Sequence, residues 1–123
     1  MNHPNFLLLY VAQPAASAAF YADLLGCQPV EASPTFAMFA LDNGTMLGLW
    51  ARETVAPKAV AGAGGGELAF AVGDDAEVEP RHAQWKAKGI AIAQAPTRMD
   101  FGYTFVGLDP DGHRLRVFAP SQP

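Results

Sequence analysis

The first half of the chain shows strand-length apolar runs on either side of one helical pattern. The continuous apolar run Phe6–Val11 predicts a strand that is covered on both faces. Pro14 stands where it can open a helix, and apolar residues then recur at helical spacing up to Gly26, a typical stop signal. Phe36–Leu41 and Thr45–Ala51 flank an Asp-Asn-Gly turn, which predicts a strand hairpin.

The second half repeats this order of elements. Glu67–Val72 predicts a strand, and the pattern over Val78–Gly89 predicts a helix that again ends at a glycine. Ile90–Gln94 and Tyr103–Leu108 predict two more strands, and an Asp-Pro-Asp-Gly turn leads into the last one, Arg114–Ala119. The whole chain therefore follows the order β-α-β-β, with room for one further strand, twice.

This repeat indicates the fold class and the domain organisation. Gly44–Trp50 aligns with Gly112–Phe118 at an offset of 68 residues, as two copies of one module would. We expect an α+β protein in which two βαβββ modules form a curved mixed sheet around a cleft, with the helices outside. The expected limits are a single domain over residues 1–123, module one at about 4–52, a glycine-rich linker at about 53–65 and module two at about 66–120.

Charge and cysteine content narrow the range of partners. The net charge is −4 and the pI is near 5.1, with no basic patch, so we expect no nucleic-acid partner. Cys27 has no second cysteine for an internal disulfide, which favours a reducing compartment. Because neither a signal peptide nor a membrane-length apolar run is visible, we expect a cytoplasmic protein without a membrane partner.

Two segments resemble the signatures of a known superfamily. Phe20–Gly26 has the pattern Phe-Tyr-x-x-Leu-Leu-Gly, and Phe105–His113 has the pattern Phe-x-x-x-Asp-Pro-Asp-Gly-His. Together with the paired modules, they resemble the glyoxalase/bleomycin-resistance/dioxygenase superfamily, also called vicinal oxygen chelate proteins. Leu49–Trp50 and Phe101–Phe105 are similar in particular to the phenazine-antibiotic-resistance binding proteins of this superfamily.

The resemblance also implies where a metal would be held. Enzymes of the superfamily bind one divalent metal through His, Glu or Gln on strands of both modules, and those positions fall here on Leu7, Gly48, Glu67 and Arg116. Leucine and glycine offer no side-chain donor, and arginine cannot be deprotonated to become a ligand. We therefore expect no metal and no cofactor, and we predict instead an ion pair between Glu67 and Arg116 that lowers the pKa of the carboxyl.

The expected function is metal-independent binding and sequestration of an aromatic small molecule, a phenazine-type or related antibiotic, by a homodimer. Trp50 is the first candidate contact, because an indole can stack on a flat ring and Gly48 leaves room beside it. The predicted ligand-binding residues are Trp50, Gly48, Met46, Phe39, Glu67, Tyr103, Phe105 and Arg116.

Several alternatives stay open on the sequence. The chain could be a metal-dependent lyase or dioxygenase of the same superfamily, which would require a divalent metal or a carboxyl group poised as a base. It could also be a carrier or accessory protein in natural-product biosynthesis, with the same kind of pocket. Trp50 could be an ordinary core residue, and the pair between Glu67 and Arg116 could be purely structural.

Overall fold

The computed structural model describes residues 3–121 and divides the chain into two compact units, with the boundary between Ala61 and Gly62. Each unit has the element order βαβββ, so the predicted α+β class and the two repeated modules are confirmed. The boundary falls inside the segment predicted to be a linker.

The first module consists of one helix and a four-stranded mixed sheet. Its strands lie in the order β1-β4-β3-β2, with β1 parallel to β4 and the other neighbours antiparallel. Its elements are β1 (Phe6–Val11), α1 (Pro14–Leu25), β2 (Glu31–Ala32), β3 (Phe36–Ala40) and β4 (Met46–Ala51).

The second module has the same topology. Its strands lie in the order β5-β8-β7-β6, with β5 parallel to β8 and the other neighbours antiparallel. Its elements are β5 (Glu67–Ala71), α2 (Val78–Ala87), β6 (Ala91–Met99), β7 (Gly102–Leu108) and β8 (Arg114–Pro120). No helix within residues 3–121 has the length and apolar character that crossing a membrane requires.

Local signals set the helix ends as the sequence predicts. Pro14 occupies the first turn of α1, where its missing N–H costs nothing. Gly26 ends the helix in the left-handed region at φ 72°, and its N–H donates to the carbonyl of Ala22 at 2.9 Å. Gly89 follows α2 at φ 82°. A side chain with a Cβ would be strained at either glycine.

Each sheet has one face covered by its helix and one face that the helix does not cover, which we call the open face. In the first module α1 packs on β3 and β4 and covers the fully buried Phe39 and Leu49. In the second module α2 sets Trp85 edge-on against Phe70 and Phe105, with ring centroids 6.1 and 5.1 Å away. The core of each module therefore lies between its helix and one sheet face.

Three local predictions need correction. The first strand is not covered on both faces, because β1 is an edge strand and Phe6, Leu7 and Leu8 are each more than 40% exposed. The strand predicted to end at Gln94 continues to Met99, with two irregularities in its register with β7. The short strand β2 was not predicted, since its two residues are too few to show a period.

Part of the predicted linker is held in place. Val55 is buried, and the Nη2 of Arg52 donates to the carbonyl of Ala61 at 2.6 Å. The bond from Arg52 joins the two ends of the segment 52–61 to each other, and Val55 buries its side chain within the protein. The glycine-rich residues 62–66 after this segment have the composition of a flexible linker.

Candidate functional site

The open face of the first sheet brings together three of the predicted site residues. Met46, Gly48 and Trp50 alternate along β4 with side chains that are buried under α1. In the antiparallel pairing with β3, Trp50 lies opposite Phe36 and Gly48 lies opposite Met38. Paired residues of neighbouring strands point to the same side of a sheet, so these five residues share the open face.

The edge strand β1 extends this apolar surface. Its residues Phe6, Leu8 and Tyr10 pair with the open-face positions of β4, and Tyr10 meets Trp50 edge-on with ring centroids 6.1 Å apart. Phe6 and Leu8 are 45% and 46% exposed. Trp50 is only partly buried, so its indole belongs to a solvent-reached surface and not to the closed core.

A hollow of about 590 Å³ opens on this face. Its lining is aromatic and aliphatic on β1, β3 and β4, and polar along the segment that contains β2. The lining residues are Phe6, Leu8, Glu31, Ser33, Thr35, Phe36 and Trp50. An apolar hollow with a few polar groups at its rim is the usual form of a small-molecule site.

Gly48 has a different part in this hollow from the one predicted. A Cβ at this position would lie 2.7 Å from the Cδ2 of Leu8 and 2.9 Å from the Cζ of Phe36. The space over the glycine is therefore filled by these two side chains and is not open beside the indole. The absence of a side chain at Gly48 allows Leu8 and Phe36 to meet across β4.

On the open face of the second sheet, Arg116 and Glu67 form the predicted ion pair. The Nε and Nη2 of Arg116 donate to the two carboxylate oxygens of Glu67 at 2.8 and 3.0 Å, in the two-pronged geometry typical of arginine. The Nη1 donates to the hydroxyl of Thr104 at 3.1 Å and to the Oε1 of Gln94 at 3.5 Å. The guanidinium of Arg114 lies 3.4 Å from the same carboxylate.

This arrangement lowers the pKa of Glu67 below its ordinary value, as predicted. The hydrogen bonds from Arg116 are the largest cause, burial opposes them, and the positive charges of Arg116 and Arg114 add to the lowering. The side chain of Arg116 is only 14% exposed, and its guanidinium lies 5.6 Å from the ring centre of Phe101. Glu67 is thus held as an anion and is poorly suited to act as a base at neutral pH.

Three other predicted site residues lie away from both open faces. Phe39 pairs with Leu47, and Phe105 pairs with Val117, in positions that face the helices, and both phenylalanines are fully buried. Tyr103 points to the same side of its sheet as Phe105, and its hydroxyl donates to Glu79 on α2 at 3.2 Å. Their inclusion among the ligand contacts is therefore not supported, because core packing and α2 already occupy these side chains.

The residues present do not fit the metal site of the superfamily's enzymes. The register pairs Leu7 with Leu47, so Leu7 lies on the helix-covered side of the sheet. In the second module Glu67 pairs with Arg114, and the corresponding pair in the first module is Phe6 with Met46. The position of β1 equivalent to Glu67 is therefore Phe6, so the assignment of Leu7 is corrected, and Phe6 offers no donor. The carboxylate of Glu67 is bound by Arg116. Within residues 3–121, no three His, Cys, Asp or Glu side chains come close enough to hold a metal ion.

Several residues of these faces were not among the predicted contacts. Strand alternation along β3 could have identified Phe36, since it places that residue on the side opposite the core residue Phe39. Glu31 carried no signal, because β2 is two residues long. Gln94 and Thr104 contact Arg116 because β6, β7 and β8 pair in a particular register. That register cannot be read from the sequence of the separate strands.

The sequence and the fold identify the family. The profile of the Glyoxalase/Bleomycin resistance protein/Dioxygenase superfamily matches residues 2–117. The chain belongs to this superfamily. The two βαβββ modules are consistent with the fold of this superfamily.

Individual relatives agree with this membership. The chain is 28% identical to the phenazine antibiotic resistance protein EhpR of Enterobacter agglomerans, over 93% of this chain and 89% of that protein. It is 57% identical to protein ATC0852 of Agrobacterium tumefaciens, solved by NMR, with a TM-score of 0.91 over 99% of this chain and 100% of that one. A glyoxalase/bleomycin resistance protein/dioxygenase from Nocardioides is 25% identical, with a TM-score of 0.82 over 99% of this chain and 85% of that one.

Proposed function

We propose that this protein binds and sequesters a planar aromatic small molecule of the phenazine type in the hollow beside Trp50, without a metal and without chemical turnover. The observation that carries the proposal is the partly exposed indole of Trp50, which lies with Phe36 in an apolar hollow of about 590 Å³. The relative EhpR, by its name a phenazine antibiotic resistance protein, supports this ligand class. We propose the cytoplasm as the place of action.

The size and lining of the hollow suit such a ligand. Sites for drug-sized molecules range over about 300–1,000 Å³ and are mostly apolar. Stacking on an aromatic side chain contributes about 0.5–1.5 kcal/mol beyond the burial of area. The ion pair of Glu67 with Arg116 supports binding without a metal, since it occupies the one carboxylate among the positions that the superfamily's enzymes use for ligation.

The test is calorimetric titration of phenazine into the wild type and two variants of Trp50. We expect Trp50→Ala to weaken binding by about tenfold or more, because it removes both the stacking and the buried area, and Trp50→Phe to weaken it less. Recovered ligand should be chemically unchanged. Tyr103→Phe is the matched control, since its ring lies on the helix-covered side of the other module. Unchanged affinity in Trp50→Ala, or conversion of the ligand, would contradict the proposal.

We also propose that the protein is a homodimer in which a second copy covers β1. Phe6, Leu7 and Leu8 expose more than 40% of their surface along an edge strand of the sheet. An exposed apolar edge strand pairs readily with another chain, so soluble proteins normally cover it.

A further inference from the structure

We infer that the ligand of the hollow carries a positive charge and that Glu31 recognises it. This inference rests on the proposed function and adds the charge class of the ligand and a residue that determines specificity. Glu31 lies on β2, paired with Met38 of β3, at the rim of the hollow that Trp50 and Phe36 line.

Glu31 is the charged member of this lining. Among the lining residues that the described chain supplies, the others are apolar or carry hydroxyl groups. The hydroxyl of Ser33 is already used, because it donates to the carbonyl of Phe36 at 3.2 Å and accepts from the N–H of Phe36 at 3.2 Å and of Thr35 at 3.4 Å. The carboxylate of Glu31 is therefore the group best placed to recognise a charge on a bound ligand.

The surroundings of Glu31 differ from those of two carboxylates in the second module. Glu67 is held by two arginines, and Asp75, at the start of the helical segment that leads into α2, is paired with Arg98. Within residues 3–121, no salt bridge or hydrogen bond to the side chain of Glu31 is present. An unpaired carboxylate at the edge of an apolar hollow attracts a cation and repels an anion, and the attraction strengthens as the ligand displaces water.

The aromatic lining favours the same sign of charge. The ring faces of tryptophan and phenylalanine attract cations through their quadrupoles, so Trp50 and Phe36 can hold a charged ring that a carboxylate steers into place. The protein as a whole carries a net charge of −4, which raises the local concentration of cations further. The ligand class is therefore a planar aromatic cation, either a quaternised heterocycle or a ring that bears a protonated amine.

The experiment compares two probes of nearly the same shape, neutral phenazine and the N-methylphenazinium cation, by calorimetry at pH 7.5 in low salt and in the dark. We expect the wild type to bind the cation about fivefold more tightly than phenazine, the effect of two unit charges about 4 Å apart in water. In Glu31→Gln the ratio of the two affinities should fall to about one, because the charge that distinguishes the two probes is removed. Glu53→Gln, an equal charge change in the same module outside this hollow, should keep the preference.

Salt provides a second readout. In 1 M NaCl, where the screening length falls to about 3 Å, the preference of the wild type should shrink while the affinity for phenazine does not fall. If phenazine binds through Trp50 and the cation binds no more tightly, or if Glu31→Gln keeps the preference, the charge inference is overturned and the proposed function stands. If neither probe binds, the proposed function itself fails, and this inference fails with it.

Discussion

Replacing Glu67 by glutamine tests whether the pair with Arg116 holds the second module together. The substitution keeps the shape of the side chain and removes its charge. Arg116 would then keep its bonds to Thr104 and Gln94 but lose a carboxylate that it contacts through two nitrogens. We expect Glu67→Gln to destabilise the module, because it leaves a mostly buried guanidinium without its counter-charge.

The structure limits the size of this effect. Removing one partner of a fully buried pair typically costs about 3–5 kcal/mol, whereas exposed pairs contribute about 0–1 kcal/mol. Here the side chain of Arg116 is 14% exposed and that of Glu67 is 29% exposed, so the pair lies between these two cases. The glutamine oxygen can still accept one hydrogen bond. We therefore expect a loss of about 2 kcal/mol in the free energy of unfolding at pH 7.

The stability difference between the wild type and Glu67→Gln should also depend on pH. The pKa of Glu67 is lowered in the folded protein, so the carboxylate is favoured there more than in the unfolded chain. Its contribution to stability is complete at neutral pH and is lost as the pH falls through the lowered pKa, from about pH 5 downward. The difference between the wild type and Glu67→Gln should therefore be largest at pH 7 and smaller at pH 3.

The assay is urea unfolding followed by the emission of Trp85, in a Trp50→Phe background that leaves this second-module indole as the reporter. Asp75→Asn is the control, because it breaks a pair with Arg98 whose side chains are 50% and 58% exposed. We expect that change to cost no more than about 0.5 kcal/mol. Equal unfolding midpoints for the variants of Glu67 and Asp75, or a Glu67 effect that does not change with pH, would refute the reasoning.

Two further predictions concern packing and assembly. Gly107→Ala should destabilise the protein by about 1–3 kcal/mol, because its Cβ would lie 2.8 Å from the ring of the buried Trp85, which packs against Phe70 and Phe105. Gly48→Ala should cost less, since it meets only the ends of two side chains that are not fully buried, and thermal unfolding compares the two variants. Leu7→Lys should produce monomers in light scattering, whereas Val60→Lys, at a position that is 91% exposed, should not. A dimeric Leu7→Lys protein would contradict the proposed role of β1.

Elements with local signals could be predicted from the sequence. Pro14 and Gly26 limit α1 because their effects on the backbone depend only on their immediate neighbours. The ion pair between Glu67 and Arg116 in the second sheet was also predicted. That prediction came from the resemblance to the superfamily, whose metal-ligand positions fall on these two residues, and not from periodicity. The proposed contact Trp50 was placed by alternation along one strand, and the structure puts it on an open face.

The register between strands could not be predicted. Phe39 and Phe105 were predicted as ligand contacts because they are aromatic residues on strands. The pairing of their strands with the neighbouring strands places both side chains on the face that a helix covers. A shift of one residue reverses the face of every side chain in a strand, and nothing within a single apolar run opposes such a shift. For the same reason Leu7 was assigned the position on β1 that the pairing of the two modules gives to Phe6.

The sequence by itself determined the order of the elements and their repetition in two modules, because periodicity and turn residues are local properties, and the resemblance of its motifs indicated the family. Only the tertiary structure decided which side chains share the open faces. It brought Glu31 from an unpredicted two-residue strand to the hollow beside Trp50 and directed Gln94 and Thr104 to Arg116. Those positions depend on hydrogen bonds between strands that are distant in the chain, so they follow from the assembled sheet and not from any one segment.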